Sequence, residues 1–256
     1  MATIGVLHPG EMGAAVGAAL VDNGHEVLWA SDGRSAQTAE RARGARLEDA
    51  GTVTSLLARS EVVLSICPSA AALEVAAAAE DFGGVYVDAN AISPETASRV
   101  ADRVGRAYLD GGIVGPPPVE AGTTRLYLSG SHDERVGRLF EGARIEPRVV
   151  TVAGPMAASA LKMAYAAWTK GSAALLLAID GAARALGVED ALAAEWALSR
   201  PQLAELLADA RRSADAKGWR WTDEMRQIAA TLESAGQPGG FHRAAAEVFE
   251  ASGRPR

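Results

Sequence analysis

Ala2-Thr3-Ile4-Gly5-Val6-Leu7-His8-Pro9-Gly10-Glu11-Met12-Gly13 is the stretch whose reading decides the fold. The apolar run Ile4 to Leu7 predicts a short buried strand, the residues around Gly10 a tight turn, and the alanine-rich segment from Glu11 a helix. A strand, a glycine turn and a helix in that order present backbone N–H groups and the positive end of a helix to a pyrophosphate. Gly10 would let the backbone approach the phosphates, and Gly13 would let the helix pack closely on the strand. The usual fingerprint is G-x-G-x-x-G. Here His8 stands at its first glycine, so His8, Pro9, Gly10, Glu11, Met12 and Gly13 are the candidate cofactor-binding residues. Pro9 holds His8 extended, as the end of a strand requires. A purely structural glycine turn is the alternative; a second βα unit directly behind the turn favours a cofactor site.

Strand and helix signals alternate from there on. The helix over 11–23 stops at Asp22-Asn23-Gly24, and strands are predicted near 25–30, 61–67, 85–88, 108–114, 125–129 and 148–152. Between them, helices are expected near 35–43, from the cap Thr52 to Arg59, over 70–79, and from Ser93 with Pro94 at the first helical position. Alternation of this kind implies a doubly wound α/β sheet. After Gly154-Pro155 no segment reads as a strand. A long helix is predicted from about Pro155 to Leu186, spanning about 45 Å at 1.5 Å per residue. Further helices are predicted over 189–199, 201–216, 221–235 and 241–251. The expected organisation is a Rossmann domain over 1–153 and an all-α domain over 154–256.

Bulk properties narrow the function classes. The chain has 256 residues, 48% hydrophobic and 22% charged, enough for one or two soluble domains with a sizeable core. A net charge of −7 without a basic cluster argues against nucleic acid as a partner. The single cysteine, Cys67, rules out an internal disulfide framework and fits a reducing compartment. The first strand begins almost at Met1 with no basic-then-apolar leader, and no apolar run is long enough to span a bilayer. A cytoplasmic protein without a membrane partner is expected. The four histidines show no metal-ligand spacing, so no metal is expected.

Four stretches bear on chemistry: Gly10–Gly13, Asp88-Ala-Asn-Ala-Ile-Ser-Pro94, Asp110-Gly-Gly-Ile-Val-Gly115, and Lys162 on the long helix. Their order and spacing resemble the β-hydroxyacid dehydrogenase superfamily, which includes 6-phosphogluconate dehydrogenase and the imine reductases. The resemblance covers nearly the whole chain. His8–Gly13 and Ala157-Ala-Ser-Ala-Leu-Lys-Met163 look most like a bacterial subgroup with a phosphogluconate-dehydrogenase-like C-terminal domain of unknown function.

The resemblance implies a nicotinamide cofactor, a small-molecule substrate, a site between the domains and a homodimer through the C-terminal helices. It implies reversible hydride transfer between a β-hydroxyacid-like alcohol and its carbonyl, with Lys162 as acid/base. Burial in an apolar pocket lowers a lysine's pKa and suits it to that task. Tyr165 stands beside Ala166, where the family often has asparagine, and either assists proton donation or packs in the core. Asn90, Ser93 and Gly115 match substrate-binding positions, Asn90 also contacting the cofactor, with Ser93 alternatively only a helix cap. Pro116 lacks an N–H in the substrate loop, a departure from the family. Cys67 and Pro68 match a cofactor-lining pair. At the end of the second strand, Ser31, Arg34 and Ser35 are suited to a 2′-phosphate, so NADP is expected ahead of NAD, although Asp32 argues for NAD. His25 reads as structural, and His242 as a residue able to reach a partner subunit's cleft. A cyclic-imine reductase and a catalytically silent dinucleotide-binding protein are the rival readings. A methyltransferase would leave Lys162 without a role.

Overall fold

A computed structural model describes residues 1–151, 154 and 156–251, with the side chain of residue 107 outside the description. The residues from Met1 to Lys162 form one compact unit and those from Met163 onward a second.

The first unit is an eight-stranded sheet. Its strands are β1 (Thr3–Val6), β2 (Glu26–Trp29), β3 (Glu48–Asp49), β4 (Val62–Ser65), β5 (Val85–Asp88), β6 (Tyr108–Val114), β7 (Thr124–Ser129) and β8 (Ile145–Val149). They lie in the order β3-β2-β1-β4-β5-β6-β7-β8. All neighbours are parallel except β6 and β7, so β7 and β8 run against the rest. The order reverses between β1 and β4, the switch point at which open α/β sheets bind ligands. The eighth strand lies a few residues before the predicted 148–152, of which Val152 falls outside the described residues.

The sequence alternates two faces along each strand. Ile4, Val6, Val62, Leu64, Val85 and Val87 point to one side, with Ala14, Val16 and Leu20 of α1 (Glu11–Asp22) in the same core cluster. Val63 and Tyr86 belong to the opposite core, with Leu56 of α3 (Val53–Arg59), Val75 of α4 (Ala72–Ala77) and Val100 of α5 (Pro94–Val104). The strands are buried on both faces, which is why they read as continuous apolar runs. Gly5 makes this packing possible, because a Cβ there would lie 2.4 Å from Leu56 Cδ2. Ser35 caps α2 (Ala36–Gly44), and Thr52 and Ser93 cap α3 and α5, each accepting a backbone N–H three residues on. A further helix, α6 (Asp133–Leu139), has no sequence prediction behind it; it is a single short segment without a strong apolar stripe.

The long helix α7 (Ala157–Ala185) begins in the first unit and runs into the second. The second unit continues with α8 (Glu189–Ser199), α9 (Gln202–Ser234) and α10 (Gly240–Ala251). Two helices were predicted over 201–216 and 221–235, and they are one. Lys217-Gly218 does not end the helix: an interior glycine costs only about 1 kcal/mol, and Gly218 is buried in a stripe with Ala214, Thr222 and Met225. Trp221 packs edge-on against Phe249 at 5.1 Å, and the Lys170 ammonium, paired with buried Glu224, lies 5.3 Å from the Trp221 ring centre. His242 does not turn outward toward a partner: it is buried within its own unit, its Nε2 3.0 Å from the Ala167 carbonyl. That approach requires Gly171, where a Cβ would stand 2.9 Å from the ring. Among the described residues, no helix is long and apolar enough to cross a membrane.

Candidate cofactor and active site

The carboxyl ends of β1, β2, β4, β5 and β6 share one edge of the sheet, and nearly every candidate residue of the first unit lies there. β1 gives way at Leu7 to the turn His8-Pro9-Gly10, closed by the Gly10 N–H donating to the His8 carbonyl at 2.9 Å. Gly10 begins α1 with no side-chain cap, so the first-turn N–H groups of that helix are not taken by a side chain. A Cβ on Gly10 would meet nothing within 4 Å, whereas one on Gly13 would lie 2.2 Å from the His8 carbonyl oxygen. The two glycines therefore do different work: Gly10 faces open space and Gly13 seats the helix on the turn. Glu11 is exposed, and Met12 packs against the core.

His8 and Arg34 meet beside this turn. The Arg34 guanidinium folds back over the end of β1 and donates from Nη2 to the Leu7 carbonyl at 3.3 Å. His8 Nδ1 and Arg34 Nε are buried without a hydrogen-bond partner among the described residues. Burial first, and the Arg34 charge second, pull the His8 pKa down to about 4, so its imidazole is neutral at pH 7. Both side chains line a cavity of about 190 Å³ with Val53, Ala71, Glu74 and Val75. Ser31 is half-buried and Asp32 exposed, while Ser35 is held as the cap of α2 through Thr38. Two unmatched donor-bearing groups, an uncapped helix start and open space at Gly10 fit a phosphate-bearing dinucleotide.

The other half of the edge is closed. Sheet register aligns Ser65 with Asp88, Asp88 with Asp110, and Asp110 with Ser129, giving a buried polar row across β4, β5, β6 and β7. Asp88, 1% exposed, accepts at Oδ1 from the Asn90 backbone N–H (3.1 Å) and from Asn90 Nδ2 (2.7 Å). Asn90 Nδ2 also donates to Ser65 Oγ, and its Oδ1 accepts the Cys67 N–H at 2.6 Å. Both amide hydrogens and the amide oxygen of Asn90 are thus engaged inside the fold. At 2% exposure this residue ties the β4 loop to the β5 loop. Ser93 is likewise buried at 2% and serves as the α5 cap. Asp88 Oδ2 has no hydrogen-bond partner among the described residues. Burial drives the Asp88 pKa up to about 7, with the neighbouring Asp110 carboxyl adding to the rise against the Asn90 hydrogen bonds. Burial also pushes the Tyr86 and Tyr108 phenols up, and the Cys67 thiol to about 12, which leaves Cys67 without a reactive thiolate at neutral pH.

Lys162 reaches this edge from α7. Its Cβ would be 3.0 Å from a Cβ placed on Gly112 of β6, so the helix rests directly on that strand. Lys162 is half-buried, and Tyr165, one turn on, is 47% exposed and not a core residue. Gly115 closes β6 at φ 123°, where a Cβ would strike the Thr123 carbonyl at 2.3 Å. Its conformation holds the turn that leads into Pro116, whose carbonyl accepts from Thr124 Oγ1. Sequence reasoning gave no role to Asp88, Asp110, Ser129 or Ser159. The available signal was an aspartate within each of two apolar strands, Val-Tyr-Val-Asp88 at the end of one and Tyr-Leu-Asp110 inside the other, since carboxylates are seldom fully buried without partners. Among the described residues no His, Cys, Asp and Glu group could hold a metal.

The model of the NAD binding domain of 6-phosphogluconate dehydrogenase matches residues 3–140, and a domain of unknown function (DUF1932) matches residues 183–252. Among curated proteins, none matches the sequence. The conserved protein MTH1747, of unknown function and described as structurally similar to 3-hydroxyacid dehydrogenases, is 26% identical with a TM-score of 0.70, covering 98% of this chain and 96% of its own. Mycobacterium tuberculosis 3-hydroxyisobutyrate dehydrogenase, solved with L-serine, has a TM-score of 0.70 at 18% identity, covering 98% and 93%. An imine reductase of Streptomyces aurantiacus has a TM-score of 0.53 at 22% identity, covering 97% and 93%. The last two likenesses speak for the fold.

Proposed function

The chain belongs to the β-hydroxyacid dehydrogenase superfamily of nicotinamide-dependent oxidoreductases, and on that premise we propose that it reduces a small carbonyl compound, and oxidises the corresponding β-hydroxyacid-like alcohol, with Lys162 as the proton donor and acceptor. The observation that carries this reading is the seat of Lys162 over Gly112, at the carboxyl edge shared with the glycine turn. From β1 to β6 along that edge is three strand spacings, roughly 14 Å at about 4.8 Å each. A dinucleotide bound with its pyrophosphate at Gly10 would extend along the edge toward β6.

The cofactor supplies the hydride when bound. The turn at Gly10 and the start of α1 would hold its pyrophosphate, and Arg34, beside neutral His8, would favour the 2′-phosphate of NADP. As hydride reaches the carbonyl carbon, negative charge grows on oxygen. The Lys162 ammonium gives its proton to that oxygen, and the neutral amine takes the proton back in the reverse direction. Asn90 keeps the β4 and β5 loops together at the edge where the cofactor would bind. The functional assembly is proposed to be a homodimer through the C-terminal helices. Its support is the apolar surface of the second unit, where Trp168, Leu198 and Phe241 are each more than three-quarters exposed.

The test is nicotinamide absorbance during incubation with small oxoacids, semialdehydes and cyclic imines, with NADPH and NADH in parallel. Turnover of a carbonyl is expected, lost at least about a hundredfold in Lys162→Ala with cofactor binding nearly intact. Arg34→Ala should weaken NADPH more than NADH. Undiminished turnover in Lys162→Ala would remove the assigned role, and equal loss of both cofactors would remove the phosphate contact. A response to imines alone would favour the second reading, an imine reductase, for which the exposed Tyr165 phenol is the supporting feature.

A further inference from the structure

The Asp110 carboxylate fastens the first turn of helix α7 to the sheet. Asp110 is the β6 member of the buried row, and its Oδ2 accepts from the Ser159 backbone N–H (3.0 Å) and from Ser129 Oγ (2.8 Å). Its Oδ1 accepts from Ser159 Oγ at 2.5 Å. Ser129 Oγ in turn accepts the Ala158 N–H at 3.1 Å. The Ala158 and Ser159 N–H groups in the first turn of α7, which have no intrahelical partner, are thus satisfied by the sheet. Asp110, Ser129 and Ser159 are each no more than 1% exposed, so these bonds form away from water.

Lys162 lies three residues beyond Ser159, on the adjoining turn of the same helical face. The clasp sets how deep that turn sits. Gly112, two residues after Asp110 on the same side of β6, leaves room for it: a Cβ there would stand 2.8 Å from the Ala158 carbonyl oxygen and 3.0 Å from Lys162 Cβ. Depth, rotation and height of the lysine over the strand are therefore fixed by one set of groups. We infer that Asp110 is a positioning residue for Lys162, acting through Ser159 and Ser129 to hold the first turn of α7 against Gly112.

The inference rests on Lys162 as the acid–base group, but its test does not need turnover. The chain contains three lysines, Lys162, Lys170 and Lys217. Acetylation of the whole protein by an N-hydroxysuccinimide ester, read peptide by peptide by mass spectrometry between pH 6 and 9, gives the rate at Lys162 relative to exposed Lys217. All three variants are assayed under conditions where circular dichroism shows them folded. Asp110→Asn should raise that ratio about threefold or more, as expected when buried hydrogen bonds that hold a turn are lost. Ser159→Ala should raise it less, and Ser159→Thr, which keeps the hydroxyl, should restore it. A Lys162 ratio and pH profile that overlay the wild type in Asp110→Asn would overturn the inference, even if the variant is less stable. If Asp110→Asn does not fold, an unchanged ratio in Ser159→Ala overturns it instead. Failure of Lys162 as acid and base would show separately, as turnover surviving in Lys162→Ala.

Discussion

The two halves of the sheet's carboxyl edge are built to opposite plans. At β1 and β2 the edge is left open: Gly10 faces empty space, and His8 Nδ1 and Arg34 Nε have no partner among the described residues. At β5, β6 and β7 it is closed, with Asn90, Asp110, Ser129 and Ser159 hydrogen-bonded to one another's neighbours and out of water. Unsatisfied buried polar groups cost about 1–3 kcal/mol each, and at the open half they stand beside empty space that fits a ligand. The closed half uses the same kinds of groups to set geometry. The exception within the row is Asp88 Oδ2, and the Tyr86 and Tyr108 hydroxyls of the same strands are likewise without a hydrogen-bond partner among the described residues.

The largest expected effect exploits that exception through pH. Asp88 holds its proton up to about pH 7 in the folded chain, against an ordinary value of 3.8, so the folded state keeps a proton that the unfolded chain has released. Its contribution to stability is therefore present at low pH and lost as pH rises from about 4 through 7. Burial raises Asp110 too, giving a slope of the same sign. His8 works the other way. Its folded value near 4 lies below the ordinary 6.5, so stability from this group is present above 6.5 and lost as pH falls toward 4. The open and closed halves thus oppose each other between pH 4 and 6.5. At about 1.4 kcal/mol per pH unit, Asp88→Asn should gain on the order of 4 kcal/mol relative to wild type at pH 8 and little at pH 4. His8→Gln should leave stability at pH 8 nearly unchanged and remove roughly 2 kcal/mol of acid sensitivity, after allowance for solvent screening of a partly exposed ring. Urea denaturation of the three proteins at pH 4.5, 6 and 8 decides this. Identical pH slopes in all three would erase the contrast.

Much of this was legible in the sequence, and the limits have physical reasons. Apolar runs ended by caps or glycines located most elements because buried parallel strands and capped helices leave strong local signals, as at Val62–Ser65 and at Ser93-Pro94. The glycine turn was legible for the same reason. Local signals failed where tertiary packing decides: Gly218 looked like a break and lies buried within α9, and His242 looked available and is held by the Ala167 carbonyl across a gap that only Gly171 leaves. The closed row could not be read, because it depends on register between strands far apart in sequence. Asp110 meets Ser129 across one strand pair and Ser159 from a helix start, and no spacing along the chain announces either contact. The three internal hydrogen bonds of the Asn90 amide were not legible either, because they join loops that follow different strands.

A second test stays within the open half and compares its two glycines. A Cβ on Gly13 would lie 2.2 Å from a backbone oxygen, an atom that no rotamer change can move aside. Gly13→Ala should therefore cost about 2–3 kcal/mol, at the upper end of the range for overpacking, and should lose dinucleotide affinity because the turn itself shifts. Thermal denaturation and the quenching of tryptophan fluorescence by NADPH would report the two losses together. A Gly13→Ala protein as stable as wild type would mean that α1 is not seated on the His8 carbonyl.

Gly10→Ala should give the smallest effect on the fold and the sharpest on the ligand. With nothing within 4 Å of the new methyl and a backbone φ of −68° that any residue adopts, the substitution should change stability by less than about 0.5 kcal/mol, as surface changes do. The methyl would nevertheless stand where the pyrophosphate must approach the turn, so dinucleotide affinity should fall about tenfold or more, the equivalent of about 1.4 kcal/mol. Calorimetric titration with NADPH, alongside a melting curve, separates these quantities. A large loss of affinity without loss of stability identifies the open space at Gly10 as ligand space. Unchanged affinity would mean that the dinucleotide does not reach the turn, and the open half of the edge would then need another occupant for its unpartnered His8 and Arg34 nitrogens.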